Sequence, residues 1–478
     1  MLVKQSYGEG VRLNFLRTKS IEEYQTDAAA SHLRRTMGAL DVTLLGVGVI
    51  VGTGIFVLTG VAAAKYAGPA LMLSFLIASV TCGFVSMTYS ELASMVPVAG
   101  SAYAYAYTSV GELLAWLVGW NLVLEYSVGA SAVAGGWSAY VVGLLKTAGL
   151  DLPLAYTAVP ADGGIVNLPA VLITLFLSAL LVRGVHESVA VNKALVAVKL
   201  LAIFIFLFLA APSVNAANWE PFLPFGWAGV SAGAAVIFFA YLGVDSVATA
   251  AEETKNPARD MPIGIIASLI ICTLLYVGVT AVMTGNVPYA ELDNAEPVAY
   301  VLRALGYRFG SALVGTGAIA GLTTVLLVMM YAQTRAFFAM SRDGLIPQLV
   351  CKIHPRYATP HRITLIVGIG VALISGFTPI HVVAEMCSVG TLFAFIVSAV
   401  GVVVMRRRYP RARRPFRCPA VYVMSLLAVV SCGYIMYNLS SMTWERFWIW
   451  SALGLLIYFL YGYRHSREGA KQAGEKTC

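Results

Sequence analysis

The stretch Gly46-Val-Gly-Val-Ile-Val-Gly-Thr-Gly-Ile-Phe56 places four glycines within nine residues of an otherwise apolar run. Inside a helix each glycine costs up to about 1 kcal/mol relative to alanine, so a break is expected here. A second apolar run contains Phe238-Phe-Ala-Tyr-Leu-Gly-Val-Asp245, where Gly243 is followed shortly by a charge. Breaking a helix in an apolar medium frees N–H and C=O groups, which is tolerable only where they line a cavity and find partners. The helical piece beginning near Gly54 turns its positive end toward the gap and suits a carboxylate. The preceding pieces end in the carbonyls of Ile50, Phe239, Ala240 and Leu242, which suit an ammonium. Both groups together would hold a zwitterion without any charged side chain. Glycine can also serve close helix packing alone. Two interrupted runs at corresponding positions favour the binding reading. The first run also imitates a nucleotide-binding glycine loop, but it lacks the strand–turn–helix setting that such a loop requires.

Lys199 lies six residues beyond Lys193 in the run Val191-Asn-Lys-Ala-Leu-Val-Ala-Val-Lys-Leu-Leu-Ala-Ile-Phe-Ile-Phe206, hence about 9 Å deeper at ~1.5 Å per residue. Lys193 can snorkel to head groups. Lys199 lies too deep for that. A charged lysine at mid-membrane costs roughly 2.5–3.5 kcal/mol on insertion scales, and burial disfavours the charged form. An amine that changes protonation near neutrality is a coupling element; a permanently charged one would only brace the fold. Intramembrane carboxylates are functional candidates by default, which singles out Glu125, Glu112 and Asp245. Glu125 could receive a cationic side chain or neutralise a buried base. Glu112, near a helix end, could help to pack a gate. Asp245 could simply favour the first turn of a helix. Glu91 and the run from Glu252 to Asp260 are expected to pair with loop Arg and Lys, and Glu385 to be wet. Met329 and Met330 either fill a core or face the pocket. At the floor of a pocket, Met329 would favour small neutral substrates, because a long cationic side chain needs a polar end.

The elements that must position these residues follow from composition. Of 478 residues, 59% are hydrophobic and 12% charged, with a mean hydropathy of +0.78; a soluble protein carries about 25% charged residues. That excludes a soluble enzyme, a disordered chain and a disulfide-stapled secreted domain. Twelve apolar runs approach the ~20 residues that a bilayer core requires. They fall near 40–64, 69–95, 111–145, 168–185, 190–212, 228–253, 262–285, 308–340, 359–377, 380–405, 419–439 and 443–463. The third and eighth exceed a straight crossing and should tilt or project. With the N-terminus inside, twenty-six of the 32 Lys and Arg face the cytoplasm and five face outward. That asymmetry sets the orientation. Thirteen residues from Met405 to Arg417 hold seven Arg, a cytoplasmic loop compatible with anionic lipid contact. The basic residues thus flank membrane runs and do not imply nucleic acid. The segment around Ser20 to Arg35 reads as an amphipathic surface helix. The first ~36 residues are polar, so no cleavable leader is expected. Seven scattered Cys without CxxC spacing and six scattered His indicate neither a disulfide framework nor a metal site.

Several motifs together resemble the amino acid–polyamine–organocation superfamily, most closely its cationic amino acid transporter branch. They are Leu40-Asp-Val-Thr-Leu-Leu-Gly-Val-Gly, Gly52-Thr-Gly-Ile-Phe56, and Tyr89-Ser-Glu-Leu-Ala-Ser-Met-Val-Pro-Val-Ala-Gly-Ser-Ala-Tyr-Ala-Tyr105. To these add Gly111-Glu-Leu-Leu-Ala-Trp, Gly119-Trp-Asn-Leu-Val-Leu-Glu-Tyr126 and Glu252-Glu-Thr-Lys-Asn-Pro-Ala-Arg-Asp-Met-Pro262. The resemblance implies an all-α integral membrane fold of 12 transmembrane helices, a five-plus-five inverted repeat with discontinuous helices 1 and 6. Its parts would be a cytoplasmic segment 1–39, repeats 40–212 and 228–405, two added helices within 419–463 and a cytoplasmic tail 464–478. It also implies that Gly52, Thr53 and Gly54 hold a carboxylate, that Ile50, Phe239, Ala240 and Leu242 hold an ammonium, and that Phe239 closes the site from outside. Lys199 resembles the lysine that replaces a sodium ion in some proton-coupled members.

The expected function is therefore proton-coupled amino acid symport by alternating access in the plasma membrane. The substrate would be a small neutral or cationic L-amino acid, with the proton as coupling ion and no other cofactor. The alternatives are an exchanger without proton coupling and a non-transporting amino acid sensor, for which the ~15 residues after Tyr463 leave little room. No HExxH or paired-Asp constellation in the runs suggests an enzyme. Oligomeric state and any small accessory subunit leave no mark in the sequence.

Overall fold

The computed structural model describes residues 17–20, 37–96, 101–184, 189–243, 247, 254–294, 296–357 and 359–472. Regular structure among the described residues is helical, apart from a single parallel bridge between Met37 and Thr254. The helices are α1 (Ala39–Ile50), α2 (Leu71–Met95), α3 (Ser101–Ser109), α4 (Glu112–Thr147), α5 (Leu168–Val182), α6 (Val189–Ala210) and α7 (Gly226–Ile237). There follow α8 (Pro257–Asn286), α9 (Pro297–Ala304), α10 (Arg308–Arg342), α11 (His361–Phe377), α12 (Ile380–Arg408), α13 (Val421–Tyr437) and α14 (Ser441–Ile457). Each apolar run of the sequence thus carries helix. The segment around Ser20 to Arg35 lies outside the described residues, Ser20 excepted.

Among the described residues, six helical stretches are long and apolar enough to cross a membrane unaided, and α13 with the helix after it forms a further pair bent by 113°. The runs around the two glycine motifs fall short because each is interrupted: α1 and α7 have 12 residues apiece. The two longest runs hold as single helices, α4 with 36 residues and α10 with 35, about 54 and 52 Å at ~1.5 Å per residue.

The interior is built around these two. α4 packs along α10 and α12, α1 along α8, α2 along α8, and α6 along α10. Facing surfaces carry fully buried aromatics such as Trp116, Tyr89, Tyr241 and Tyr276. Outward faces of α6, α8, α11 and α14 expose Phe204, Phe208, Leu274, Ile366 and Ile449. Apolar side chains outside and inside alike are the arrangement expected of helices solvated by lipid.

Candidate functional site

α1 ends at Ile50, and Val51 (φ −72°, ψ 94°) leaves helical geometry. Helical turns resume at Gly54, with a five-residue π-helical stretch Gly54–Leu58. The amides of Ile55 and Phe56 donate to the carbonyl of Gly52 at 3.3 and 3.2 Å. In the second motif α7 tightens into a 3-10 turn, Phe238–Tyr241, then opens at Leu242 (ψ 140°) and Gly243 (φ +111°). That φ favours glycine, and a Cβ there would lie 2.5 Å from Val49 Cγ1.

The two breaks meet. A Cβ on Gly54 would fall 2.3 Å from the Cβ and 2.5 Å from the Cα of Ala240. Only glycine lets these backbones touch. Tyr276 of α8 pins the junction from behind: its hydroxyl lies 2.7 Å from the Ile50 carbonyl and 2.8 Å from that of Ala240. One hydroxyl has one proton to give, so it serves these acceptors alternately. The Phe239 carbonyl accepts the amide of Leu242 at 3.1 Å. Three of the four carbonyls expected to face an ammonium therefore already have a partner, and each keeps a second lone pair. Thr53 is buried, and its hydroxyl has no hydrogen-bond partner among the described residues.

Lys199 is fully buried and donates to the carbonyls of Gly48 (2.5 Å) and Val51 (3.2 Å). These are α1 carbonyls released by the break. Gly321 of α10 lies against its side chain, with a constructed Cβ 3.2 Å from Lys199 Cβ. The amine thus sits between α1 and α10, bound to backbone oxygens. Met329 is buried, with its sulfur 3.4 Å from a constructed Cβ on Gly129 of α4. Glu125 is buried one turn earlier on α4, its carbonyl accepting from Cys387 at 3.1 Å. Asp245 lies outside the described residues.

Glu112 takes no part in the junction. It opens α4 and accepts the hydroxyls of Tyr107 and Tyr458 (2.8 Å each) and of Ser466, with Arg17 at 3.8 Å. Beside it Lys19 pairs with Asp343 at 3.2 Å, and Tyr103 donates to the same carboxylate at 2.9 Å. Glu385, expected to be wet, is instead buried and accepts from Ser440 and Thr443 (2.5 Å each) and Tyr66 (3.4 Å). The start of α14 folds over it, which its own helix gave no sign of. On the loop beside α9, Glu296 faces Arg303 at 2.5 Å. Burial pushes the Glu296 carboxyl above its ordinary value, against the opposing pull of Arg303.

Two polar residues of the interior carried no motif. Tyr276 is a lone hydroxyl in an apolar run, and a buried tyrosine needs a partner; that was the available signal. Gln333 of α10 donates to Ser127 (2.5 Å) and to the Val123 carbonyl (3.3 Å), bringing α10 onto α4 one turn from Met329.

Paired helix breaks joined backbone to backbone, with a buried amine on the freed carbonyls, define a multi-pass membrane transporter. Comparison with known proteins agrees. The sequence profile described as "Amino acid permease" matches residues 37–460. The chain belongs to this family, within the amino acid–polyamine–organocation superfamily, and its relatives are permeases, not enzymes. It is 45% identical over 455 residues to the methylthioribose transporter of Bacillus subtilis, covering 95% of this chain and 99% of that one. It is also 45% identical over 457 residues to a branched-chain amino acid permease of the same organism, covering 94% and 98%. A chloroplastic cationic amino acid transporter of Arabidopsis thaliana is 38% identical over 411 residues, covering 83% and 71%.

Proposed function

We propose that this amino acid permease family member is a proton-coupled symporter working by alternating access. In this reading the chain crosses the membrane twelve times, with both ends cytoplasmic, as repeats 40–212 and 228–405 followed by 419–463. The α-carboxylate of the substrate rests on the amides of Gly52, Thr53 and Gly54. Its ammonium rests on the second lone pairs of Ile50, Phe239, Ala240 and Leu242. Phe239 covers it, and Met329 limits the side chain. Lys199 carries the coupled proton: charged, it binds the Gly48 and Val51 carbonyls; neutral, it loosens the inner half of α1. Glu125 tunes the polarity of the pocket.

The observation that carries this reading is the contact of Gly54 with Ala240, which puts one helix start and two helix ends at one point. A zwitterion matches both signs of that junction. Small neutral L-amino acids fit best, because Met329 offers no counter-charge to a cationic side chain. A second substrate class has its own warrant in the 45% identical relative named as a methylthioribose transporter. That thiosugar lacks both amine and carboxylate and would leave the junction's dipoles to hydroxyl groups.

The deciding experiment is competition by all twenty amino acids and methylthioribose against labelled alanine, at two external pH values, in proteoliposomes. Small neutral amino acids should compete best, and uptake should follow an inward proton gradient. Uptake indifferent to pH and dependent on internal substrate would instead establish exchange. Uptake of labelled methylthioribose with none of labelled alanine would discard the zwitterion site.

A further inference from the structure

The seven arginines between Met405 and Arg417 divide into two sets. Arg406 and Arg414 are spent on one buried carboxylate. Glu91, at the end of α2, accepts Nε and a terminal nitrogen of Arg406 at 2.7 Å each, Arg414 Nε at 3.1 Å and the Cys418 amide at 2.8 Å. Arg414 also donates to the carbonyls of Met405, Tyr409 and Ala412 at 3.1, 2.7 and 2.9 Å. These contacts fix the loop as a rigid platform. Arg407, Arg408, Arg411, Arg413 and Arg417 are left exposed on it.

What lies beside the platform decides what the free arginines meet. The guanidinium of Arg407 stands 5.9 Å above the ring of Tyr422, at the start of α13. Below that ring α13 turns Tyr422, Leu426 and Val430 outward, 56%, 63% and 59% exposed. Eight residues at ~1.5 Å each make an apolar strip about 12 Å long, capped by fixed positive charge. An acidic peptide or a nucleic acid would match the charge and leave the strip bare. A lipid matches both, with its phosphate at Arg407 and its acyl chain on the strip.

We propose that this loop and the adjoining face of α13 form a binding site for anionic phospholipid. The exposed arginines are the specificity elements, and Glu91 with Arg406 and Arg414 is the frame that holds them. The site is independent of which solute is carried and of how its transport is coupled.

The test uses the full chain reconstituted in phosphatidylcholine with trace spin-labelled phosphatidylglycerol or phosphatidylcholine, reading the motionally restricted fraction of each. For the wild type, phosphatidylglycerol should be favoured by about threefold or more, because basic residues near the surface attract anionic head groups. High salt should erase most of that preference. Replacing Arg407, Arg408, Arg411, Arg413 and Arg417 by Gln, with Arg406 and Arg414 kept, should bring the ratio near parity. A control with equal charge loss at Lys352, Arg356, Arg362, Arg464 and Arg467 should keep it. An undiminished preference in the five-Gln variant overturns the proposal. So does a wild type without lipid preference, or one in which added polyglutamate or an oligonucleotide is retained in place of lipid.

Discussion

Glu91, where α2 ends, accepts four hydrogen bonds from two arginines and an amide; Lys199, at the break in α1, gives two to backbone carbonyls. Both side chains are fully buried, yet they are compensated differently. At the rim the buried carboxylates of Glu112, Asp343 and Glu385 meet formal positive charge or several hydroxyls. At the centre Lys199 gives hydrogen bonds to the backbone dipoles of Gly48 and Val51. Full charge pairing holds a geometry, because removing one partner strands the other. Dipoles can be exchanged for a ligand at small cost, because a carbonyl retains acceptor capacity. The rim is built to stay and the centre to change partners.

The first way to break this comparison is Glu91→Ala. It strands the buried Arg414 and should destabilise the protein by about 3–5 kcal/mol, read as a fall in melting temperature in detergent. A loss under about 1 kcal/mol would remove the distinction. The second is Lys199→Ala. Loss of the proposed carrier of the coupled proton should largely abolish gradient-driven accumulation, while the melting temperature drops less than for Glu91→Ala, because the two released carbonyls can be satisfied by water. If the pH gradient still drives full accumulation, the coupling role of Lys199 fails. The smallest effect belongs to Tyr276→Phe. It deletes one neutral hydrogen bond, about 0.5–1.5 kcal/mol, and should change apparent substrate affinity roughly two- to tenfold with little change in stability. An affinity equal to the wild type would show that the hydroxyl does not set the junction.

The sequence made the centre readable because glycine spacing carries a backbone consequence. The breaks at Val51 and Leu242 fall where the glycines Gly52, Gly54 and Gly243 stand. The excess length of α4 and α10 and the pairing of Glu91 with loop arginines also follow from residue counts and charge. The rest depends on contacts across the chain. Lys19 and Asp343 are separated by 324 positions, and no periodicity links them. Glu385 looks like a helix-end acid until Ser440 and Thr443 close over it. Tyr276 is one hydroxyl among apolar neighbours, and its importance arises only because both breaks arrive at it. The amphipathic reading of Ser20 to Arg35 and the place of Asp245 fall outside the described residues.

The surroundings of Glu112 bear on how the protein is made. Its partners are Arg17, Tyr107, Tyr458 and Ser466, drawn from the first and last parts of the chain. A ribosome delivers Glu112 to the bilayer long before Tyr458 and Ser466 exist, so this carboxylate waits through most of synthesis without half of its donors. Its full set of hydroxyl donors is complete only when the final helix arrives. A prematurely stopped chain would retain an unsatisfied acid at the membrane face, a chemical label by which incomplete copies differ from finished ones.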